Sequence, residues 1–228
     1  MRTRAKVYIS SAIIAGISVL AGCLVYDWDF PDPPRYFGYL FLACLGSTLK
    51  LKLPKIRGTM SISFLFVLLG VAELTAAETV TLGCVAALIQ CLWKARKRPS
   101  VVQVLFNMSV LATSIGGCFL VSHSLVQGEN LLALLAVAVC TYFVMNTGMI
   151  SLVLSLTEEQ PFIKMWRQCY LWSFPYYLAG SVVAAAITFS SRTAGWKPSL
   201  LMLPVMYLIY SYYRLYLLDQ TENDYKAA

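Results

Sequence analysis

Long apolar runs alternate along this chain with short charged segments, and this alternation restricts the fold more than any other feature. Apolar residues make up 59% of the 228 residues and charged residues only 13%, against about 45–50% and about 25% in soluble domains. A helix needs roughly 20 apolar residues to cross a bilayer. The sequence therefore predicts an all-α, polytopic transmembrane helix bundle with almost no soluble part.

The apolar runs predict about eight spans within a single integral membrane domain that covers residues 1–228. The predicted spans are residues 7–25, 36–49, 59–71, 79–93, 101–121, 131–156, 169–189 and 199–217, and a cytoplasmic tail follows at 218–228. Spans three and four are the ambiguous pair, because they are short and only a small segment separates them. They form either two short crossings or a re-entrant pair, and the re-entrant alternative reduces the number of spans to six.

The basic residues predict the orientation of the bundle, because cytoplasmic segments of membrane proteins carry an excess of Lys and Arg. With the N-terminus inside and every span crossing, 15 of the 18 basic residues fall in cytoplasmic segments, and only Arg35, Arg192 and Lys197 fall outside. Both ends of the chain are therefore predicted to be cytoplasmic. A re-entrant pair returns the chain to the same side, so the charges do not distinguish eight spans from six.

The net charge of +7 does not indicate a nucleic-acid partner. The basic residues lie at the ends of the apolar runs, where they meet the anionic headgroups of lipids. We therefore expect the lipid bilayer as the surrounding partner, and no nucleic acid.

Two glutamates, Glu73 and Glu78, flank the turn between spans three and four. Carboxylates next to a span are costly to bury, so each calls for a reason. Either both lie in a solvated outer turn, or they form a pair that senses a cation, a proton or a ligand from outside. They are the first candidates for a ligand-binding site.

Further candidates are amides and aromatic residues within or beside the later spans. Asn107 in span five and Asn146 in span six need hydrogen-bond partners on neighbouring helices, either as structural contacts or as the lining of a ligand cavity. Span seven begins near Trp172, Tyr176 and Tyr177, around a proline that can kink the helix. Such aromatic residues line pockets in helix bundles or form the interfacial belt of a membrane protein.

The sequence offers little for enzyme chemistry. It contains no HExxH, GxSxG, GxGxxG or Walker pattern. Its seven Cys form no close pairs, and its single His leaves too few ligands for a zinc site. We therefore expect no catalytic residues, no metal and no cofactor.

Several stretches resemble the MASE group of bacterial membrane-associated sensor domains. They are KLPKIRGTMSISFLFVLLGVAEL at 52–74, LWKARKRPSVVQVLFNMS at 92–109, YFVMNTGMISLVLSL at 142–156, WRQCYLWSFPYYLAGS at 166–181 and LPVMYLIYSYYRLYL at 203–217. Members of that group precede HD-GYP, GGDEF or histidine kinase domains. The resemblance implies a sensory domain in the bacterial inner membrane, with an unknown small-molecule or lipid ligand. It also implies that the last helix relays the signal to a cytoplasmic signalling domain, or within a homodimer.

A second stretch, TMSISFLFVLLGVAELTAAETVTLGCVAALIQ at 59–90, is similar to the S-components of energy-coupling-factor transporters. Those proteins capture a vitamin from outside the cell in a bundle of about six helices. This alternative implies a small-molecule transport protein with an outward-facing polar pocket near Glu73, Asn107, Asn146 and Tyr176.

Overall fold

The computed structural model describes residues 3–195, apart from 53–58, 96–97 and 127–129, and isolated positions between 197 and 215. The predicted eighth span, except for those isolated positions, and the predicted cytoplasmic tail lie outside the described residues. In chain order, the elements are α1 (Thr3–Tyr26), α2 (Pro33–Thr48), β1 (Lys50–Lys52), β2 (Thr59–Ser61), α3 (Phe64–Glu73), α4 (Ala76–Leu92), α5 (Val101–Leu125), α6 (Leu131–Glu158), α7 (Phe162–Cys169), a 3-10 turn (Leu171–Ser173) and α8 (Phe174–Ala194).

The prediction of an all-α bundle is confirmed in its coarse form. In the described part of the chain, four helices are long and apolar enough to cross a membrane, namely α1, α5, α6 and the segment Phe174–Thr193 of α8. The strands among the described residues are β1 and β2, which pair in an antiparallel hairpin with Lys50 opposite Ser61. The described part of the chain is therefore a helical membrane bundle with one small hairpin.

Several helices begin at residues that cap them. Asp32 precedes two prolines and accepts a hydrogen bond from a backbone N–H in the first turn of α2. Ser100 forms a capping box with Gln103 at the start of α5, and Asn130 caps α6. Such side chains satisfy N–H groups that have no partner within the helix. Local sequence thus fixes where these helices start.

Helix α3 differs from the predicted third span at 59–71. It begins only at Phe64, and its ten residues extend about 15 Å, half of the roughly 30 Å hydrocarbon layer. Every residue from 64 to 71 is buried, and α3 packs against α2, α4, α6 and α8. It is a central helix enclosed by other helices.

Glycines allow the closest helix contacts. A Cβ atom on Gly16 of α1 would lie 2.3 Å from the Cα atom of Ser109 on α5. A Cβ atom on Gly180 of α8 would lie 2.3 Å from the ring of Phe64 on α3. Small residues at such crossings let helix backbones approach each other in membranes, so Gly16 sets the α1–α5 spacing, whereas Gly180 leaves room for the Phe64 ring against α8.

Five helix termini meet at one end of the bundle, here called the acidic end. The carboxylate of Asp27, just after α1, accepts a hydrogen bond of 2.8 Å from the backbone N–H of Ala76 at the start of α4. Arg35 at the start of α2 faces Glu73 at the end of α3, and Glu73 contacts Ser191 near the end of α8. Helices α1 and α2 therefore run antiparallel, as do α3 and α4.

The opposite end of the bundle holds the hairpin and α7. There the ammonium group of Lys50 donates to the backbone carbonyl of Trp93, and burial lowers the pKa of Lys50. Helix α7 is attached through the indole of Trp166, which donates to the hydroxyl of Thr147 on α6 at 2.9 Å. The other side of α7 exposes Ile163.

Candidate functional site

Glu73 occupies the centre of the acidic end. Its side chain is 6% exposed, and its Oε2 atom accepts hydrogen bonds from the hydroxyls of Tyr39 (2.7 Å) and Ser191 (3.2 Å). Tyr39 belongs to α2 and Ser191 to α8, so one carboxylate oxygen joins three helices. Hydrogen bonds of this kind compensate for the water that a buried carboxylate loses.

Arg35 adds a positive charge beside this carboxylate. Its Nη1 atom lies 3.7 Å from Glu73 Oε2, and its Nε atom lies 3.1 Å from Asp32 Oδ2. The guanidinium therefore bridges the start of α2 and the end of α3. We call Arg35, Tyr39, Glu73 and Ser191 the Glu73 cluster.

Glu78 and Asp27 cover the start of α4. Glu78 Oε2 accepts from the backbone N–H of Thr75 (2.9 Å), and the Thr75 hydroxyl accepts from the backbone N–H of Glu78 (3.2 Å). Asp27 Oδ2 accepts from the N–H groups of Ala76 (2.8 Å) and Ala77 (3.3 Å). Both carboxylates also meet the positive end of the helix dipole. Glu78 thus closes the α3–α4 turn, and Asp27 holds that turn against the end of α1.

Three buried oxygens at this end of the bundle have no hydrogen-bond partner among the described residues. They are Glu73 Oε1, Glu78 Oε1 and Thr188 Oγ1. Glu78 is 1% exposed and Thr188 is fully buried. Thr188 lies about one turn before Ser191 on α8, the helix that packs against α3.

The structure brings Asn146, Tyr176 and Tyr177 together at the other end of α3. Asn146 donates to the Tyr177 hydroxyl at 3.5 Å. The ring centroid of Phe64 lies 5.0 Å from that of Tyr176 and 4.8 Å from that of Tyr177. Phe143 completes this aromatic cluster at 5.2 Å from Tyr177. Both tyrosines are buried, so their rings pack the core between α3, α6 and α8.

Asn107 belongs to neither cluster. Its amide donates to the Cys91 thiol at 3.2 Å, and Cys91 lies near the end of α4. At about 1.5 Å per residue, that contact is about 20 Å along α4 from Glu78. Trp172 lies in the 3-10 turn before α8, and its side chain is outside the described residues.

Sequence reasoning missed three members of the Glu73 cluster as site residues. Tyr39 and Ser191 have no local signal, because they lie 34 and 118 residues from Glu73 in the chain. Arg35 could have been identified from the sequence, because it is one of only three basic residues predicted outside.

The described residues contain no group of three or more His, Cys, Asp or Glu side chains placed to hold a metal ion. Cysteines whose side chains the structure describes are free thiols. The single histidine, His123, stacks on Phe119 at a centroid distance of 4.2 Å and lies outside both clusters.

The bundle and its buried polar cluster define the class of this chain as a helical membrane protein. Comparison with known protein families, with curated proteins and with solved structures finds no match for the chain.

Proposed function

We propose that this chain is a sensory, ligand-binding domain of the bacterial inner membrane, which relays a signal through its last helix to a cytoplasmic output. The supporting observation is the Glu73 cluster, in which a buried carboxylate joins α2, α3 and α8. Buried ionisable residues in membrane bundles mark functional sites more often than structural ones. Ser191, a hydroxyl partner of Glu73, lies on α8, the helix that precedes the predicted last span.

We propose eight crossings with both chain ends in the cytoplasm. The 15 basic residues predicted inside support this topology. The termini that meet at the acidic end support it as well, because Asp27, Arg35, Glu73 and Arg192 all belong to segments predicted outside. Helix α3 alone is too short to cross the bilayer, so in this topology it crosses together with β2. The other helices of the bundle surround it.

The relay in this proposal is a shift between two helix arrangements. A ligand at the Glu73 cluster changes the contacts of Tyr39 and Ser191, and so favours one position of α8 relative to α3. A ligand can shift such an equilibrium only through its different affinity for the two states. The last helix transmits the position of α8 to the cytoplasm.

The uptake alternative needs Glu73, Asn107, Asn146 and Tyr176 to line one outward pocket. Asn107 instead contacts Cys91 near the end of α4. Asn146 and Tyr176 lie near the start of α3, whereas Glu73 ends it, about 15 Å away. The geometry therefore supports a sensor better than an S-component-like pocket.

A reporter fusion tests the proposal. A diguanylate cyclase domain is fused after Ala228, and cyclase output in cells is compared for the native chain and Glu73→Gln. We expect the substitution to change output about three-fold or more, because it alters the balance between the two arrangements. A second fusion joins the cyclase directly after Tyr212, which interrupts the last helix, and there Glu73→Gln should have no effect.

The exposed carboxylate of Glu158 at the opposite end provides the matched control, and Glu158→Gln should leave output unchanged. Immunoblotting of membranes checks that all fusions accumulate equally. The proposal fails if Glu73→Gln has no effect in the full fusion, or if its effect persists after the Tyr212 junction.

A further inference from the structure

We propose that the acidic end binds a singly charged cation, either an alkali-metal ion or an ammonium group, with Glu73 Oε1 as its anionic partner. This inference names the ligand class of the site in the proposed function. It rests on the proposed function only for the role of the cation in signalling, because cation binding itself needs no output domain.

The first argument is the unpaired carboxylate oxygen. Both hydroxyl donors of the Glu73 cluster bond to Oε2, and Oε1 is buried without a partner among the described residues. A buried charged oxygen left unpaired is costly, and native proteins rarely keep one. A bound cation removes this cost.

A second oxygen without a partner in the described part of the chain, this one neutral, lies on α8. The hydroxyl of Thr188 is fully buried and has no partner among the described residues. Thr188 shares a face of α8 with Ser191, whose hydroxyl already bonds to Glu73. Helices α3 and α8, which pack together, thus each carry one buried oxygen without a partner among the described residues.

The third argument is charge. Arg35 pairs with two carboxylates of the acidic end, and two more lie at the start of α4. The four carboxylates belong to Asp27, Asp32, Glu73 and Glu78. Arg192, one residue after Ser191, is exposed. These four carboxylates outnumber Arg35 and Arg192, so the acidic end carries net negative charge and attracts cations.

The donor set favours a single positive charge. Calcium takes six to eight oxygens, usually from several carboxylates, and the described residues hold no group of three or more acidic, His or Cys side chains placed for a metal. One free carboxylate oxygen with neutral hydroxyls matches either an ammonium group, which donates up to three hydrogen bonds, or an alkali-metal ion.

The test measures thermal unfolding of the full chain in lipid nanodiscs. Sodium chloride or methylammonium chloride replaces N-methylglucamine chloride at constant ionic strength, so that general screening stays the same. A cation that binds only the folded state should raise Tm by roughly 3–6 °C at ten times its Kd. A rise with sodium identifies an alkali-metal site, and a rise with methylammonium identifies an amine site. No rise with either cation overturns the proposal.

Variants assign the rise to the site. Glu73→Gln should abolish it, whereas the exposed control Glu158→Gln should retain it. Thr188→Val keeps the shape of the side chain and removes the hydroxyl, so the cation concentration at half-maximal shift should rise about ten-fold. An undiminished rise in Glu73→Gln overturns the proposal. If Glu73→Gln does not fold, an unchanged midpoint in Thr188→Val overturns it.

The two proposals fail in different ways. A Tm rise together with an unresponsive cyclase fusion would support the cation site and contradict the sensor function. A responsive fusion without any Tm rise would support the sensor function and contradict the cation site.

Discussion

The carboxylate of Glu73 holds three helices through one of its two oxygens. Its Oε2 atom receives hydroxyl hydrogen bonds from α2 and α8 and faces the guanidinium of Arg35 at 3.7 Å. Hydrogen bonds to charged groups contribute about 1.5–3 kcal/mol each, more than bonds between neutral groups. The end of α3 is therefore fixed mainly by polar contacts, whereas the start of α3 is fixed by the packing of aromatic rings.

Removing the hydroxyl of Tyr39 should weaken this attachment. Tyr39→Phe keeps the ring in place and deletes the 2.7 Å bond to Glu73, so we expect a loss of about 1.5–3 kcal/mol in the free energy of unfolding. Unfolding in nanodiscs by heat or by sodium dodecyl sulfate measures the loss. Tyr26→Phe is the control, since Tyr26 is 91% exposed. Equal stability of both variants would contradict the bond.

At the scale of elements, helix spacing is set where glycine meets a neighbouring backbone. The position of Gly16 leaves no room for a Cβ atom beside the Cα atom of Ser109, whereas Gly22 on the same helix has open space around it. The backbone of Ser109 cannot move away from an added Cβ atom as the end of a flexible side chain could. The crossing of α1 and α5 therefore requires a residue without a Cβ atom at position 16.

This pair of glycines gives a matched prediction. Gly16→Ala should destabilise the protein by about 1–3 kcal/mol, because α1 must move away from α5. Gly22→Ala should be neutral or stabilising by up to about 1 kcal/mol, since alanine favours helix over glycine. Thermal unfolding of the two variants measures the difference. A loss of the same size in both variants would show that helix crossing is not the cause.

Some elements can be read from sequence and others cannot, and the reason is physical. Helices α1, α5 and α6 follow from their apolar runs, because bilayer thickness sets a minimum length. The enclosed α3 does not, because an entirely apolar segment looks the same whether lipid or other helices surround it. Glu73 stands out as a charge at the end of an apolar run, but its partners Tyr39 and Ser191 depend on the tertiary fold.

At the scale of the whole molecule, the contacts divide the bundle into two ends of different chemistry. Carboxylates and the Glu73 cluster occupy the acidic end. The opposite end holds the ammonium of Lys50, which donates to the Trp93 carbonyl, and the short α7. In the predicted orientation, the acidic end faces away from the cytoplasm.

Reporter fusions at two described connections test that orientation. Alkaline phosphatase fused after Pro31, between α1 and α2, should be active, because this enzyme folds only outside the cytoplasm. The same reporter fused after Gln160, between α6 and α7, should be inactive, and green fluorescent protein at that site should fluoresce. The reverse pattern at the two sites would contradict the proposed topology.

The central claim is that the contact between Glu73 and Ser191 carries the signal from α3 to α8. A double-mutant cycle in the cyclase fusion tests it most directly, with Ser191→Ala measured in the native and the Glu73→Gln backgrounds. Contacting residues show coupling, whereas distant residues act additively. We predict that Ser191→Ala changes output at least about two-fold in the native background and leaves it unchanged when Glu73 is already replaced. The same fold change in both backgrounds, or none in either, would contradict the claim.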